Sequence, residues 1–198
     1  MAELNLPCTE EDIRALRVGQ EILLSGRIIT GRDAAHHWLI SGFRAEVAPF
    51  LAGSIIYHCG PVVRKNPDGT YTFIAAGPTT SAREEPYQAD VIGRYAVRGV
   101  IGKGGMFDKT REGLIEHGAV YLHAVGGTAQ SLARAVVRVE RVFQLEEFGV
   151  PEAMWVIEVK DFPVVVTMDA HGGSLHDKVA EASGEALQRL LAAGPQTR

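Results

Sequence analysis

The sequence predicts a mixed α/β domain with several layers, and three observations support that class. Apolar residues make up 46% of the 198 residues, which is enough to bury a sizeable core. Segments with the composition of strands are interspersed with helical patterns along the whole chain. One run, 154–159, is almost entirely apolar or β-branched, as expected of a strand covered on both faces. We therefore expect a single domain over residues 1–198, without internal repeats or a long linker.

Local signals justify the elements in chain order. Thr9 is a good N-cap for a first helix, and Gly26 indicates a bulge within the first strand. Asp33 is placed to cap the next helix, Asn66-Pro67-Asp68-Gly69 marks a hairpin turn, and Gly118 ends a later helix. Strands are predicted over 21–30, 54–59, 62–64, 71–74, 97–101, 119–125, 138–145, 153–159 and 164–168. Helices are predicted over 13–16, 34–39, 87–95, 110–117, 126–133 and 175–193.

Composition excludes several classes of function. The formal charge is -4, from 24 acidic and 20 basic residues, so no basic excess points to nucleic acid. No apolar run reaches the roughly 18 residues of a membrane span, and the start lacks the pattern of a signal peptide. Cytoplasmic localisation is therefore expected. The two cysteines, Cys8 and Cys59, form no metal-binding pattern and are too few for a cubane iron–sulfur cluster, so no metal site is expected in this chain.

Basic side chains stand at glycine-flanked breaks after three apolar runs. These residues are Arg32, Arg83 and Lys103, and the hydroxyl-rich stretch 79–81 lies just before Arg83. Arginine can hold a carboxylate through two hydrogen bonds, and lysine supplies a compact charge, so the set matches a small dicarboxylate. The alternative is purely structural, because threonine and serine in such a run also serve as turn and N-cap residues.

At these residues the sequence resembles the β subunit, or C-terminal domain, of class I iron–sulfur hydro-lyases, which include class I fumarase and L-tartrate dehydratase. The matching pieces occur in family order over nearly the full chain. They are Ser25-Gly26-Arg27 with 30–36, Tyr57-His58-Cys59-Gly60-Pro61, Gly77-Pro78-Thr79-Thr80-Ser81-Ala82-Arg83, Ile101-Gly102-Lys103-Gly104-Gly105-Met106, and 155–159 through 162–164. The resemblance implies a swivelling β/β/α domain.

The resemblance also implies an activity that this chain shares with a partner. It implies a cluster-bearing alpha subunit that carries a [4Fe–4S] cluster, a hetero-oligomer with that subunit, and a homodimer as one form of the isolated chain. The implied reaction is the reversible hydration of fumarate to L-malate. Tartrate and mesaconate are alternative substrates; with tartrate, the chain would be an L(+)-tartrate dehydratase beta subunit. A further alternative is a non-catalytic binding protein of the same fold.

Residue roles follow from the resemblance by position. Arg32, Arg83 and Lys103 correspond to binders of the substrate carboxylates, and Thr79 corresponds to the threonine proposed as general base. A neutral hydroxyl is a weak base, so the alternative is that Thr79 orients a carboxylate while another group moves the proton. The chain departs from the family pattern at Ala82, which replaces a glycine, and at Glu84-Glu85 after Arg83.

Two histidines also fall within or beside these pieces. His36 belongs to a matching piece, and His58 lies in the strand before Gly60-Pro61. Each is explained either by a place beside the site or by a hydrogen bond in the core.

Overall fold

The fold is built around a mixed sheet, which the computed structural model describes over residues 2–192. Within that range the strands are β1 (Ala2–Leu6), β2 (Glu21–Thr30), β3 (Ile55–Tyr57), β4 (Val62–Lys65), β5 (Tyr71–Ala75), β6 (Gly99–Gly102), β7 (Val120–His123), β8 (Val136–Phe143) and β9 (Met154–Met168). The helices are α1 (Glu10–Arg14), α2 (Asp33–Ile40), α3 (Ala48–Leu51), α4 (Gln88–Tyr95), α5 (Asp108–His117), α6 (Ala129–Arg134), α7 (Leu145–Phe148) and α8 (Leu175–Ala192).

The main sheet curls into a partial barrel. Its strand order is β1-β2-β3-β6-β7-β9-β8, and β9 also pairs with β2, which joins the two sides of the sheet. The pairs β1–β2, β2–β3, β3–β6 and β6–β7 are parallel, whereas β9 runs antiparallel to β2, β7 and β8. Because β2, β3, β6 and β7 are parallel neighbours, their carboxyl ends meet at one edge, here called the carboxyl edge.

Two apolar cores lie on the two faces of this sheet. On one face, side chains of α2, α4 and α5 such as Leu39, Ile92 and Leu114 pack against β3, β6 and β7. On the other face, α1, α6 and the β4–β5 hairpin cover the sheet through residues such as Ile13 and Phe73. The mixed α/β class predicted from the sequence is confirmed.

Several local predictions are also confirmed. The side chain of Thr9 accepts a hydrogen bond from the main-chain nitrogen of Asp12 in a capping box at the start of α1. The bulge falls between Leu24 and Gly26, where the pairing of β2 with β9 shifts register. The hairpin β4–β5 is antiparallel, and Gly118 ends α5 in the left-handed conformation.

Other predictions are wrong in detail. Asp33 is the first residue of α2, and Arg32 occupies the N-cap position without a side-chain capping bond. The two strands predicted over 153–159 and 164–168 form the single strand β9, since Pro163 remains paired with β2 while Asp161 adopts a positive φ opposite the bulge. The sequence patterns missed β1, α3 and α7.

The predicted terminal helix is present as α8. The last residue of that prediction, Ala193, lies outside the described residues. The apolar side chains of α8 are largely in solvent; for example, Leu190 is 72% exposed and Leu191 is 67% exposed. Among residues 2–192, none of the helices combines the length and the apolar content that crossing a membrane requires.

Candidate active site

The predicted basic residues Arg32 and Lys103 lie at the carboxyl edge of the sheet. Arg32 follows the end of β2 by two residues, and Lys103 follows β6 directly. Only β3 lies between these strands, so their ends are about 10 Å apart, within the reach of two long side chains. Ligands of sheets with parallel strands bind at this type of edge, where loops present side chains into one crevice.

The segment that carries Thr79 crosses this edge between β3 and β6. The main-chain nitrogen of Thr79 donates to the carbonyl oxygen of His58 at 2.7 Å, and Lys103 donates its own nitrogen to the carbonyl of Thr79 at 3.3 Å. Ser81 then donates to the carbonyl of Lys103 at 3.1 Å. The structure therefore brings Thr79 and Lys103 side by side through their main chains. Both residues are partly exposed.

Gly102 makes this close approach possible. A Cβ atom at position 102 would overlap Oγ of Ser81 and would lie 3.0 Å from the phenolic oxygen of Tyr121. A glycine is therefore required where the Thr79 segment packs against the end of β6.

Arg32 is partly buried and is held by an acidic neighbour. Its Nη1 atom lies 3.2 Å from Oε1 of Glu152 in an ion pair. The side chain also passes over Gly60, where a Cβ atom would lie 2.5 Å from Nη1 of Arg32 and 3.0 Å from the carbonyl oxygen of Pro151. A guanidinium has five N–H donors, so the pairing with Glu152 leaves donors for a further anion.

Arg83 ends a 3₁₀ turn over Ser81–Arg83 and is exposed. Thr80 occupies the N-cap position of this turn, but its side chain makes no capping bond. The alternative that these hydroxyls serve as N-caps therefore finds no support at Thr80. Ala82 is not among the non-glycine residues with positive φ in the described chain, and the replacement of glycine there causes no backbone strain. Among residues 2–192, no ion pair involves Arg83 or Lys103.

The two glutamates after Arg83 have different environments. The carboxylate of Glu85 accepts hydrogen bonds from the main-chain nitrogens of Phe107 and Thr110, at 2.9 and 3.0 Å, and so caps the start of α5. Glu84 is fully buried, and neither carboxyl oxygen has a hydrogen-bond partner among the described residues. Burial raises the pKa of Glu84 to about 8, and the nearby charge of Asp33 adds to the rise while Arg32 and Arg83 oppose it.

A buried chain of polar groups lies beneath the carboxyl edge. Nδ1 of His36 is 2.9 Å from the carbonyl oxygen of Arg32, and the side-chain amide of Gln88 lies 2.9 Å from Nε2 of His36. The same amide lies 2.8 Å from Nε2 of His58, whose Nδ1 is 2.9 Å from Oγ of Ser81. This buried chain of polar groups links Arg32, one predicted cation, with the turn Ser81–Arg83, which carries the predicted cation Arg83.

Loss of hydration in the buried site keeps the imidazole rings of His36 and His58 from taking up a second proton. Burial lowers the pKa of His36 and places the pKa of His58 well below its usual value, to which the neighbouring His36 ring contributes. Tyr121 donates its hydroxyl to Oγ of Ser81 at 2.9 Å, and burial raises the pKa of that phenol to about 12. The core hydrogen bonds that the sequence left as one explanation of the two histidines are therefore present. Sequence reasoning missed Gln88 and Tyr121, since a glutamine and a tyrosine within periodic segments carry no signal of their own.

The described residues do not fit an iron–sulfur cluster. Cys8 and Cys59 are both buried, and burial raises their pKa values to about 11 and about 12, which disfavours the thiolate that binds iron. Over residues 2–192, no group of three or more histidine, cysteine, aspartate or glutamate side chains is placed to hold a metal ion.

Known proteins with similar sequences match nearly the whole chain. The sequence profile of one family, described as Fumarase C-terminus, matches residues 1–179. A protein of Geobacillus stearothermophilus named a putative class I fumarate hydratase is 52% identical over 188 residues, which are 94% of this chain and 36% of that protein. This chain therefore spans about a third of the length of that relative.

Two further relatives have a length similar to this chain. A putative L(+)-tartrate dehydratase subunit beta of Methanocaldococcus jannaschii is 40% identical, over 92% of this chain and 95% of its own length. The L(+)-tartrate dehydratase subunit beta of Escherichia coli K12 is 39% identical, over 87% of this chain and 85% of its own length.

Proposed function

The chain belongs to the Fumarase C-terminus family, and from this we propose that it is the beta subunit of a class I iron–sulfur fumarate hydratase. Together with a cluster-bearing alpha subunit, it would catalyse the reversible hydration of fumarate to L-malate. The relative with 52% identity, which is named a fumarate hydratase, supports fumarate as the substrate.

One geometric observation supports this proposal most strongly. Arg32 and Lys103 stand at the ends of β2 and β6, and Thr79 is bonded through its main chain to both His58 and Lys103 between them. A fumarate dianion has a carboxylate at each end, so it needs cationic groups at two separated points. The carboxyl edge offers such points, and the main chain of Thr79 runs between the strands that carry them.

The residues then take distinct roles in the proposed reaction. Lys103 and Arg83 form no ion pair within the described chain, and we assign them, with Arg32, to the two carboxylates of the substrate. Thr79 is the residue of this chain assigned to the carbon that loses or gains a proton. Its hydroxyl either moves that proton or orients the adjacent carboxylate, and neighbouring cations would stabilise the negative charge that develops.

The remaining part of the site comes from a partner in this proposal. Since the described residues offer no ligand set for a [4Fe–4S] cluster, we assign the cluster to the alpha subunit, where it would supply a Lewis acid. The name beta subunit, which two relatives bear, supports a hetero-oligomer. We further propose that residues 1–198 form one domain of the swivelling β/β/α type.

A specific observation favours L(+)-tartrate as a second candidate substrate. The two relatives that match over 95% and 85% of their own lengths are both named tartrate dehydratase beta subunits. Tartrate differs by an added hydroxyl, which a site discriminates strongly only when it provides a hydrogen-bond partner for that group.

The decisive experiment is an anaerobic assay of this chain reconstituted with the alpha subunit from the same source. Fumarate, mesaconate and L(+)-tartrate are supplied in parallel, and the highest kcat/KM identifies the substrate. We expect fumarate to be preferred, and we expect the isolated chain to be colourless and inactive. Hydration of fumarate by this chain alone, without iron, would contradict the proposal, as would a complex that acts on none of the three acids.

A further inference from the structure

In the buried chain of polar groups, the carbonyl oxygen of Arg32 determines which atoms donate and which accept hydrogen bonds. The partner of Nδ1 of His36 is the carbonyl oxygen of Arg32, 2.9 Å away. A carbonyl oxygen can only accept a hydrogen bond, so Nδ1 of His36 carries a proton and donates it. The identity of this donor fixes the tautomer of the ring once its charge is known.

His36 is neutral in its surroundings. The residue is fully buried, and burial lowers its pKa because a charged ring would lose its hydration. With one proton, on Nδ1, its Nε2 atom is an acceptor and requires a donor. The atom of Gln88 that faces Nε2 at 2.9 Å must therefore belong to the NH₂ end of the amide.

The opposite orientation of the Gln88 amide is much less favourable. With its carbonyl oxygen towards the two rings, the buried NH₂ group has no partner among the described residues. A half rotation of the amide gives both of its N–H groups a ring nitrogen. Of the amide, the carbonyl oxygen is then left without a partner among the described residues, which proteins tolerate better than an unpaired N–H. The opposite orientation would also require a positively charged His36.

His58 carries its proton on the same ring nitrogen as His36. Its Nε2 lies 2.8 Å from the amide of Gln88 and accepts the second N–H, so its proton is on Nδ1. That proton is donated to Oγ of Ser81, 2.9 Å away, and the same oxygen accepts the hydroxyl of Tyr121. Each ring then has one donor and one acceptor in use.

We infer that Gln88 is a positioning residue, which donates both amide hydrogens to two neutral Nδ1–H histidines and so fixes Arg32 relative to the turn over Ser81–Arg83, which follows Thr79 in the chain. This link runs from the carbonyl of Arg32 to Ser81, and Ser81 is bonded through its main chain to Lys103. The positioning role rests on the proposed function, because a fixed separation of cations matters for a substrate with two carboxylates.

The first test is ¹⁵N NMR of the histidine rings in the isolated chain, which needs no partner and no activity. Assignment uses the variants His36→Asn and His58→Asn. We expect both rings to be neutral and protonated at Nδ1 at pH 7. A charged His36, or an Nε2–H tautomer of either ring, would overturn the inference.

The second test measures kinetics in the reconstituted complex with Gln88→Met, which keeps the length of the side chain and removes both donors. Outer groups that orient a site commonly change activity by about 10- to 100-fold, so we expect KM for fumarate to rise by about that factor. A mere loss of folded enzyme would instead lower kcat at unchanged KM. The matched control is Gln130→Met at an exposed glutamine on α6, for which wild-type values are expected.

A second variant keeps the inference testable if Gln88→Met does not fold. Gln88→Glu has the same shape, but its carboxylate can only accept, so at least one ring must move its proton to Nε2 in the NMR spectrum. An unchanged KM in Gln88→Met, or unchanged tautomers in Gln88→Glu, would overturn the inference. A wild-type complex without activity would overturn the proposed function and the positioning role together, while the spectrum still decides the amide orientation.

Discussion

Lys103 donates its main-chain N–H to the carbonyl oxygen of Thr79 across 3.3 Å, and Thr80 pairs with Lys103 in the parallel sense. The backbones of the two segments are therefore held in fixed register. A displacement of one segment would carry the other with it, so these two stretches of main chain form one unit of the candidate site.

Replacement of Lys103 by alanine is expected to abolish turnover in the reconstituted complex while the fold survives. The side chain is partly exposed, so its loss opens no cavity in the core, but a carboxylate of the substrate loses a charged partner. We expect kcat/KM for fumarate to fall by at least about 100-fold. The control is Lys160→Ala, at an exposed lysine of β9. Full activity in Lys103→Ala would remove this residue from the site.

Thr79 can be tested with two substitutions that differ in one group. Thr79→Ser keeps the hydroxyl, whereas Thr79→Val keeps the shape and removes it. If the hydroxyl takes part in proton movement, Thr79→Val should lower kcat by about 100-fold or more and Thr79→Ser by much less. The measurement is kcat together with the exchange of the substrate C–H proton with solvent deuterium. Retained exchange in Thr79→Val would limit the residue to orienting the carboxylate.

The close approach at Gly102 leads to a prediction about stability. In Gly102→Ala, the added methyl group overlaps Oγ of Ser81 and must displace the turn over Ser81–Arg83, which follows Thr79 in the chain. We expect a loss of about 1–3 kcal/mol in the free energy of unfolding, typical of overpacking, together with a loss of activity. The control is Gly184→Ala on α8, where a Cβ atom meets none of the described residues within 4 Å and alanine should favour the helix. Equal urea midpoints for the two variants would refute this account of Gly102.

Local chemistry explains which features the sequence predicts. The capping box at Thr9 and the bulge at Gly26 depend on neighbouring residues and on backbone freedom, and the structure confirms both. The split of β9 into two strands was wrong because Pro163 is an effective breaker in isolation, whereas here the chain continues alongside β2. Whether a strand continues depends on its partner, and a single segment of sequence does not contain that information.

In the candidate site too, features that depend on local sequence were predicted, and features that depend on distant residues were missed. Arg32 and Lys103 were singled out as basic residues at glycine-flanked breaks, and the resemblance gave Thr79 its role as the proposed base. The placement of Arg32 and Lys103 at one edge follows from the order of parallel strands. Gln88 was missed because its role depends on two histidines that are 52 and 30 residues away in sequence. The roles of Glu84 and Glu85 were also hidden. The carboxyl group of Glu84 is buried without a hydrogen-bond partner among residues 2–192, whereas the adjacent Glu85 caps α5.

Glu84 gives the chain a pH-dependent stability of known sign. Its pKa in the folded protein is raised to about 8 from its ordinary value of 4.5, chiefly by burial. Between these two pH values the folded protein binds a proton that the unfolded chain has released. The contribution of Glu84 to the free energy of unfolding therefore falls as the pH rises, and this contribution levels off above about pH 8.

We therefore expect Glu84→Gln to remove this slope. The variant should be more stable than the wild type at pH 8.5, by an amount on the order of a few kcal/mol, with a much smaller difference near pH 4.5. The measurement is urea unfolding of the isolated chain at a series of pH values, with Glu112→Gln on the exposed face of α5 as the control. A constant difference between Glu84→Gln and the wild type across this range would mean that the carboxyl group is ionised in the fold, which would require a partner for it.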